Sequence, residues 1–198
     1  MTPQPIAVAQ VVQEPSEKQN RMRAAIREEV ELIQPLDRLE QHTKLDVLAW
    51  IDSGVELCRR EKPATPPKHL ISYFAVVDGD HILLVDHINA ELWLPPGGHV
   101  DPGEHPRDTA LREAQEELFL DGEFLKEGPV FVTITETVGK TAGHTDVSLW
   151  YVLRGDRRSG VKFDDSEFHD AKWFHKDDVP LDRADRQMSR FLQKLYPK

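Results

Sequence analysis

The chain has one cysteine, Cys58, in 198 residues. No internal disulfide can form, and no cysteine cluster points to zinc. Positive charge is also scarce: 25 lysines and arginines stand against 35 aspartates and glutamates, for a net charge of −10. Binding a polyanion needs basic patches over its phosphates, so this balance argues against a nucleic-acid polymer as partner. An acidic protein that handles phosphate anions needs cations as mediators, which favours a metal-dependent site. Long apolar runs are missing, so no membrane partner is expected. The opening MTPQPIAVAQVVQEP lacks the basic start and apolar stretch of a signal peptide. These absences lead to the expectation of a soluble, cytoplasmic protein. With 39% hydrophobic and 30% charged residues there is apolar material for one core, and the length suits one domain with an appendage.

Residues 1–16 contain proline and glutamine with no sustained period and read as a loose arm. A helical extension follows over residues 17–60. Met22, Ile26, Val30 and Ile33 recur at helical spacing before Pro35, and a second helix is expected from Asp37 or Thr43 to Arg60 with Leu45, Leu48, Ile51 and Val55 as its apolar stripe. Residues 61–69, EKPATPPKH, hold three prolines and read as a linker. The remainder, 70–198, has a different texture. LISYFAVV and HILLVD flank Asp78-Gly79-Asp80 as strand, turn and strand. A short strand is expected at 91–94, a charged helix from Arg107 to about Leu120, strands at 130–137, 147–153 and 171–175, and a closing amphipathic helix at 182–195. This order favours an α/β fold, a mixed sheet sandwiched by helices, with the N-terminal helical extension added to it.

The densest chemistry lies in GHVDPGEHPRDTALREAQEELFL, residues 98–120. Glu113, Glu116 and Glu117 fall at i, i+3 and i+4, so a helix sets them along one face. Like charges at those spacings destabilise a bare helix by roughly 0.2–0.5 kcal/mol per pair, and a divalent cation over the face reverses the sign. Arg-Glu-x-x-Glu-Glu alone is an ordinary solvent-facing pattern. Here it follows Pro95-Pro96-Gly97-Gly98, a stiff approach and then backbone free to come close to a ligand, and it includes the spaced Glu104.

Gly98, Glu104 and Arg112-Glu113-Ala114-Gln115-Glu116-Glu117 together resemble the signature of the Nudix hydrolases, MutT-like proteins. At usual residue frequencies, six fixed positions coincide by chance on the order of 10⁻⁷ per starting point. The resemblance implies a Nudix-type α/β/α sandwich that hydrolyses a nucleoside diphosphate linked to another moiety. It implies Mg²⁺, or Mn²⁺, held by Glu116, Glu117 and the carbonyl of Gly97. Glu113 would be a further ligand or the base that activates water, and Glu104 the partner of Arg112. Where the family pattern has glycine, this chain has Phe119, which suggests that the helix runs on to a stop at Asp121-Gly122.

Outside the box, Glu167 is a candidate additional metal ligand or base by the same resemblance. Glu136, His144 and Asp146 are candidates for a base or a substrate contact, against strand-end or turn roles. Trp93, Trp150 and Tyr151 could stack a base, although aromatics on strands more often pack a core. The first expectation for substrate is a nucleoside triphosphate. ADP-ribose, a nucleotide sugar or a dinucleotide is the alternative, as is a non-catalytic ligand-binding or regulatory domain of the same fold. A degenerate domain would be expected to lose some of the four carboxylates, and this chain keeps them all. An isomerase of the fold would want a nearby cysteine acid, and Cys58 is read here as lying outside the fold core. The stripes of residues 17–60 need burial against the catalytic domain, over its cleft as a lid, or in a homodimer.

Overall fold

The computed structural model describes residues 16–137 and 143–197; the expected N-terminal arm falls almost wholly outside them. Ser16 and Gln19 cap α1 (Glu17–Leu32) reciprocally, each side chain accepting the other's backbone N–H. Asp37 caps α2 (Arg38–Asp52) by accepting the Glu40 N–H at 2.9 Å. This second helix is shorter than expected, and its stripe holds in part: Ile51 is buried and Leu48 packs against the core, while Val55 lies beyond the helix end. Leu45 and Val55 are exposed, and Glu40, Val47 and Ile51 are the buried positions. Glu40 is buried because its carboxylate accepts the Leu36 N–H at 2.6 Å and pairs with Lys194 near the C-terminus.

Among the described residues seven strands follow: β1 (Lys68–Asp78), β2 (His81–His87), β3 (Leu92–Leu94), β4 (Gly97–His99), β5 (Phe131–Glu136), β6 (Thr145–Arg154) and β7 (Phe168–His175). They form one mixed sheet in the order β3-β2-β1-β6-β5, with β4 beside β1 and β7 beside β2. Only β1 and β6 run parallel. Between β4 and β5 lies α3 (Pro106–Leu118), and α4 (Met188–Leu195) closes the chain. Strand alternation divides the core in two. Leu70, Phe74, Val76, Val147, Leu149, Tyr151 and Leu153 face Ala110, Ala114 and Leu118 of α3. Ala75, Val77, Trp150 and Val152 face Phe191 and Leu192 of α4. This is an α/β/α sandwich, as expected.

The N-terminal helices share the α3-side core. Ile26, Val30, Ile33, Val47 and Ile51 are buried in it, and the Tyr151 hydroxyl donates to Glu29 at 2.6 Å. At roughly 1.5–3 kcal/mol per buried aliphatic side chain, these five residues contribute substantially to the stability of the whole fold. Cys58 also lies in this core, which corrects the expectation that it sits outside; burial raises its thiol to about 12.

Two boundaries differ for local reasons. α3 ends at Leu118 because Phe119 itself adopts the left-handed conformation (φ 52°), and the N–H groups of Phe119 and Leu120 both close onto the Ala114 carbonyl. The helix therefore does not run on to Asp121-Gly122. α4 starts later than expected because Ala184 pairs with Trp93 in extended conformation and Asp185 accepts the Gln187 N–H.

Candidate functional site

The Pro95-Pro96-Gly97-Gly98 stretch bends the chain from β3 into β4, a short strand that the sequence reading did not anticipate. Gly97 has φ +147°, and a Cβ on it would lie 2.2 Å from the Ser72 carbonyl oxygen on β1. At Gly98 a Cβ would lie 2.0 Å from Glu113 Oε1. Backbone and the carboxylate-bearing helix α3 thus meet where only glycine fits. Ser72 also fixes α3 from below, its hydroxyl donating to the Pro106 carbonyl at 2.6 Å.

Along α3 the box carboxylates gather around one guanidinium. Arg112 donates to Glu104 through Nε at 2.9 Å and Nη2 at 3.0 Å, and its Nη1 reaches Glu113 at 2.8 Å and Glu116 at 3.0 Å. Hydrogen bonding to Glu104, then the neighbouring acids, raises Arg112 further above its ordinary range. Burial pushes Glu104 upward, but hydrogen bonds from Arg112, Thr109 and the Asp101 N–H together hold it below the usual carboxylate range. Glu117 is buried (5% exposed) and accepts the Gly97 N–H at 2.9 Å. Burial first, then the charges of Glu113 and Glu167, push it up to about 9. Burial also raises Glu113, against the pull of Arg112. Glu167, exposed just before β7, acts on both Glu113 and Glu117. The fold therefore brings Gly97, Glu104, Arg112, Glu113, Glu116, Glu117 and Glu167 into one neighbourhood.

A cavity of about 400 Å³ opens beside Gly97 and Gly98. Tyr73, His87, Leu92 and Phe168 give it apolar and aromatic wall, and Arg59 and Lys62 bring positive charge from the segment between α2 and β1. Glu136, His144 and Asp146 line it too, so all three secondary candidates border the cavity. Trp150 and Tyr151 do not: both are fully buried, Trp150 against Tyr73, Phe131 and Phe191, and Tyr151 against Phe124. Trp93 packs on Phe174. The aromatic residues at the cavity, Tyr73 and Phe168, were passed over because nothing in a strand sequence tells which pleat opens on a cleft. Cys58 is not among the lining residues.

The residues read as a linker are held in place. The Pro67 carbonyl accepts the Thr145 N–H at 2.7 Å, and the Leu70 N–H donates to Leu57. Beside them stands a group that sequence reading missed as a unit. One ligand atom from each of His69, His99, His144 and Asp146 lies within 4.8 Å of the others, an arrangement able to hold a metal ion. His144 and Asp146 were singled out separately; His69 and His99 were not.

A family model of the NUDIX domain matches residues 68–195. The chain belongs to the Nudix family. Within it, 54 residues are 43% identical to the rat bis(5'-nucleosyl)-tetraphosphatase [asymmetrical], covering 27% of this chain and 37% of that protein. Over 140 residues the chain is 26% identical to the NAD-capped RNA hydrolase NudC of Pseudomonas putida, covering 69% of this chain and 46% of that one. The chain thus spans less than half the length of these two curated relatives. The crystal structure of a MutT NUDIX hydrolase from Burkholderia pseudomallei superposes with a TM-score of 0.54 at 22% identity, covering 65% of this chain and 98% of that one. That likeness shows the shared fold. Among the described residues no helix is long and apolar enough to cross a membrane.

Proposed function

We propose that this Nudix protein is a Mg²⁺-dependent pyrophosphohydrolase that cleaves a nucleoside diphosphate linked to another moiety, with a nucleoside triphosphate as the first substrate class. One observation carries the reading: Glu117 and Glu113 on α3 meet Gly97 and Gly98, which line the cavity, and Arg112 joins Glu116 to Glu113 on the same helix. The donor set fits the ion. It consists of hard oxygen atoms, and Glu117 is a buried carboxylate crowded by Glu113 and Glu167, whose ionised form a divalent cation stabilises.

In this reading Glu116, Glu117 and the Gly97 carbonyl hold Mg²⁺ or Mn²⁺, with Glu167 as an additional ligand. When bound, the ion neutralises charge on the phosphates and polarises the phosphorus centre under attack. Glu113, raised by burial, is suited to take the proton of the attacking water if it does not ligate the metal itself; Glu136 is the next candidate for that task. Arg112 bridges Glu113 and Glu116 through one nitrogen, offsets their mutual repulsion and ties them to Glu104. Arg59 and Lys62 meet phosphate charge at the cavity, and Tyr73 and Phe168 offer the base an aromatic wall.

The similarity to a bis(5'-nucleosyl)-tetraphosphatase favours a second substrate reading, a dinucleoside polyphosphate. A metal-dependent screen over nucleoside triphosphates, ADP-ribose, nucleotide sugars and dinucleotides, with product identification, separates the classes. Glu116→Gln and Glu117→Gln should abolish metal-dependent turnover with the fold intact. Full turnover in either variant would overturn the proposal, and no turnover of any substrate would favour a ligand-binding domain.

A further inference from the structure

We propose that His69, His99, His144 and Asp146 form a second metal site, a closed four-ligand site for a divalent transition-metal ion of the zinc class, separate from the carboxylates of α3. The site is built by strand pairing. His69 lies near the start of β1 directly opposite Asp146 on the parallel strand β6, His99 ends β4 on the other side of β1, and His144 precedes β6. The neighbouring residues Leu70, Val100 and Val147 point into the core beneath α3. By alternation His69, His99 and Asp146 therefore project from the opposite face of the sheet.

The spacing suits a small ion. Asp146 Oδ1 lies 3.3 Å from His144 Nε2 and 3.6 Å from His69 Nε2. Ligands at about 2.0–2.1 Å from a tetrahedral Zn²⁺ stand about 3.3 Å from one another. The ring centroids of His69 lie 5.0 Å from those of both His99 and His144. All four ligand atoms lie within 4.8 Å of one another.

Hydrogen bonding leaves the inward atoms without partners. His69 Nδ1 lies 2.9 Å from the Pro66 carbonyl, which can only accept, so Nδ1 carries the proton and Nε2 of the neutral ring presents a lone pair. His69 is fully buried, and its Nε2 has no hydrogen-bond partner; neither does His99 Nε2 or Asp146 Oδ1. A lone proton between His69 and Asp146 would leave His99 Nε2 unsatisfied. A cation satisfies all of them together.

The ligand types select the ion. Three imidazoles and one carboxylate suit zinc and its neighbours, whereas Mg²⁺ prefers an all-oxygen shell. Four protein ligands leave no open position, the pattern of a structural site. The ion would tie the Pro66–His69 segment, the end of β4 and the foot of β6 together at the rim of the cavity. It would thereby fix Gly98, the next residue before His99, against Glu113.

Full-length protein stripped with a chelator and dialysed against Zn²⁺ in excess Mg²⁺ should retain one Zn²⁺ per chain by elemental analysis. Co²⁺ in its place should give the intense visible bands of four-coordinate geometry. His144→Ala and Asp146→Ala should lose both signals with an unchanged far-ultraviolet spectrum, and Glu116→Gln should keep them. The Co²⁺ spectrum of the unaltered protein reads the coordination even if a variant fails to fold. Substoichiometric Zn²⁺, a weak six-coordinate Co²⁺ spectrum, or zinc lost from Glu116→Gln and kept by His144→Ala would each overturn the proposal. The result is independent of whether any nucleotide is hydrolysed.

Discussion

Gly98→Ala places a methyl group 2.0 Å from Glu113 Oε1 and 2.4 Å from its carboxyl carbon, where ordinary contact begins at 3.4 Å. The atoms in the way belong to the end of a flexible side chain, so Glu113 retreats by about 1.4 Å and the backbone stays. The retreat weakens the 2.8 Å bond from Arg112, but the guanidinium keeps Glu104 and Glu116. Folding stability should therefore fall by no more than about 1 kcal/mol, a shift of roughly 2–4 °C in Tm for a chain of this size. Activity should fall far more, because misplacing a catalytic group by ~1 Å costs on the order of 10²-fold. Gly97→Ala is the contrasting variant. Its methyl group meets backbone, 2.2 Å from the Ser72 oxygen and 2.8 Å from the Tyr73 Cα, at φ +147°. Relief requires moving β4 off β1, so that variant should lose roughly 3 kcal/mol of stability. Paired thermal denaturation and metal-dependent phosphate release on the active substrate distinguish the two. A Gly98→Ala protein with unchanged kcat, or one as unstable as Gly97→Ala, would mean that the Glu113 position beside Gly98 does not matter to turnover or that the backbone, not the side chain, gives way.

Other outcomes follow from the same contacts. Metal-free protein should lose stability as pH rises from about 5 towards 9: unfolded Glu117 releases its proton near the ordinary 4.5, whereas the folded group retains it to about 9, so the folded state binds more protons in that window. Mg²⁺ or Glu117→Gln should flatten this slope in denaturant titrations, and an unchanged slope in Glu117→Gln would assign it elsewhere. Arg59→Ala should raise KM by about tenfold with kcat little changed, the loss of one charge-assisted contact in binding; a kcat effect without a KM effect would place Arg59 in the chemistry instead. Ile51→Ala should destabilise the chain by roughly 2–5 kcal/mol in denaturant unfolding, and a negligible effect would mean that the N-terminal helices do not share the core. Phe119→Gly should stabilise by up to about 1–2 kcal/mol, since a half-exposed ring is removed from a left-handed position; destabilisation would show that the ring packs usefully.

The legible parts of this protein are those whose residues act within one element. Glu113, Glu116 and Glu117 reveal themselves because helical spacing is written in the chain, and Arg112 and Glu104 join them through a short loop. The turn at Asp78-Gly79-Asp80 and the start of α1 are equally local. The burial of Glu40 on α2 is not legible because it depends on a partner 154 residues away, Lys194. The end of α3 was missed because Phe119 tolerates a conformation usually left to glycine. The His69, His99, His144 and Asp146 cluster escaped for a third reason: β1, β4 and the foot of β6 supply its members, and strand register brings those three places together.

The proposed role of the α3 carboxylate face is metal-dependent hydrolysis of a nucleoside-diphosphate linkage. Its most direct test is to compare the unaltered protein with Glu116→Gln on a nucleoside triphosphate or dinucleoside polyphosphate, with and without Mg²⁺, identifying every product. A nucleotide product and its phosphate-containing counterpart are expected only from the unaltered protein with Mg²⁺. Equal product from Glu116→Gln, or turnover that persists in a chelator, would contradict that role.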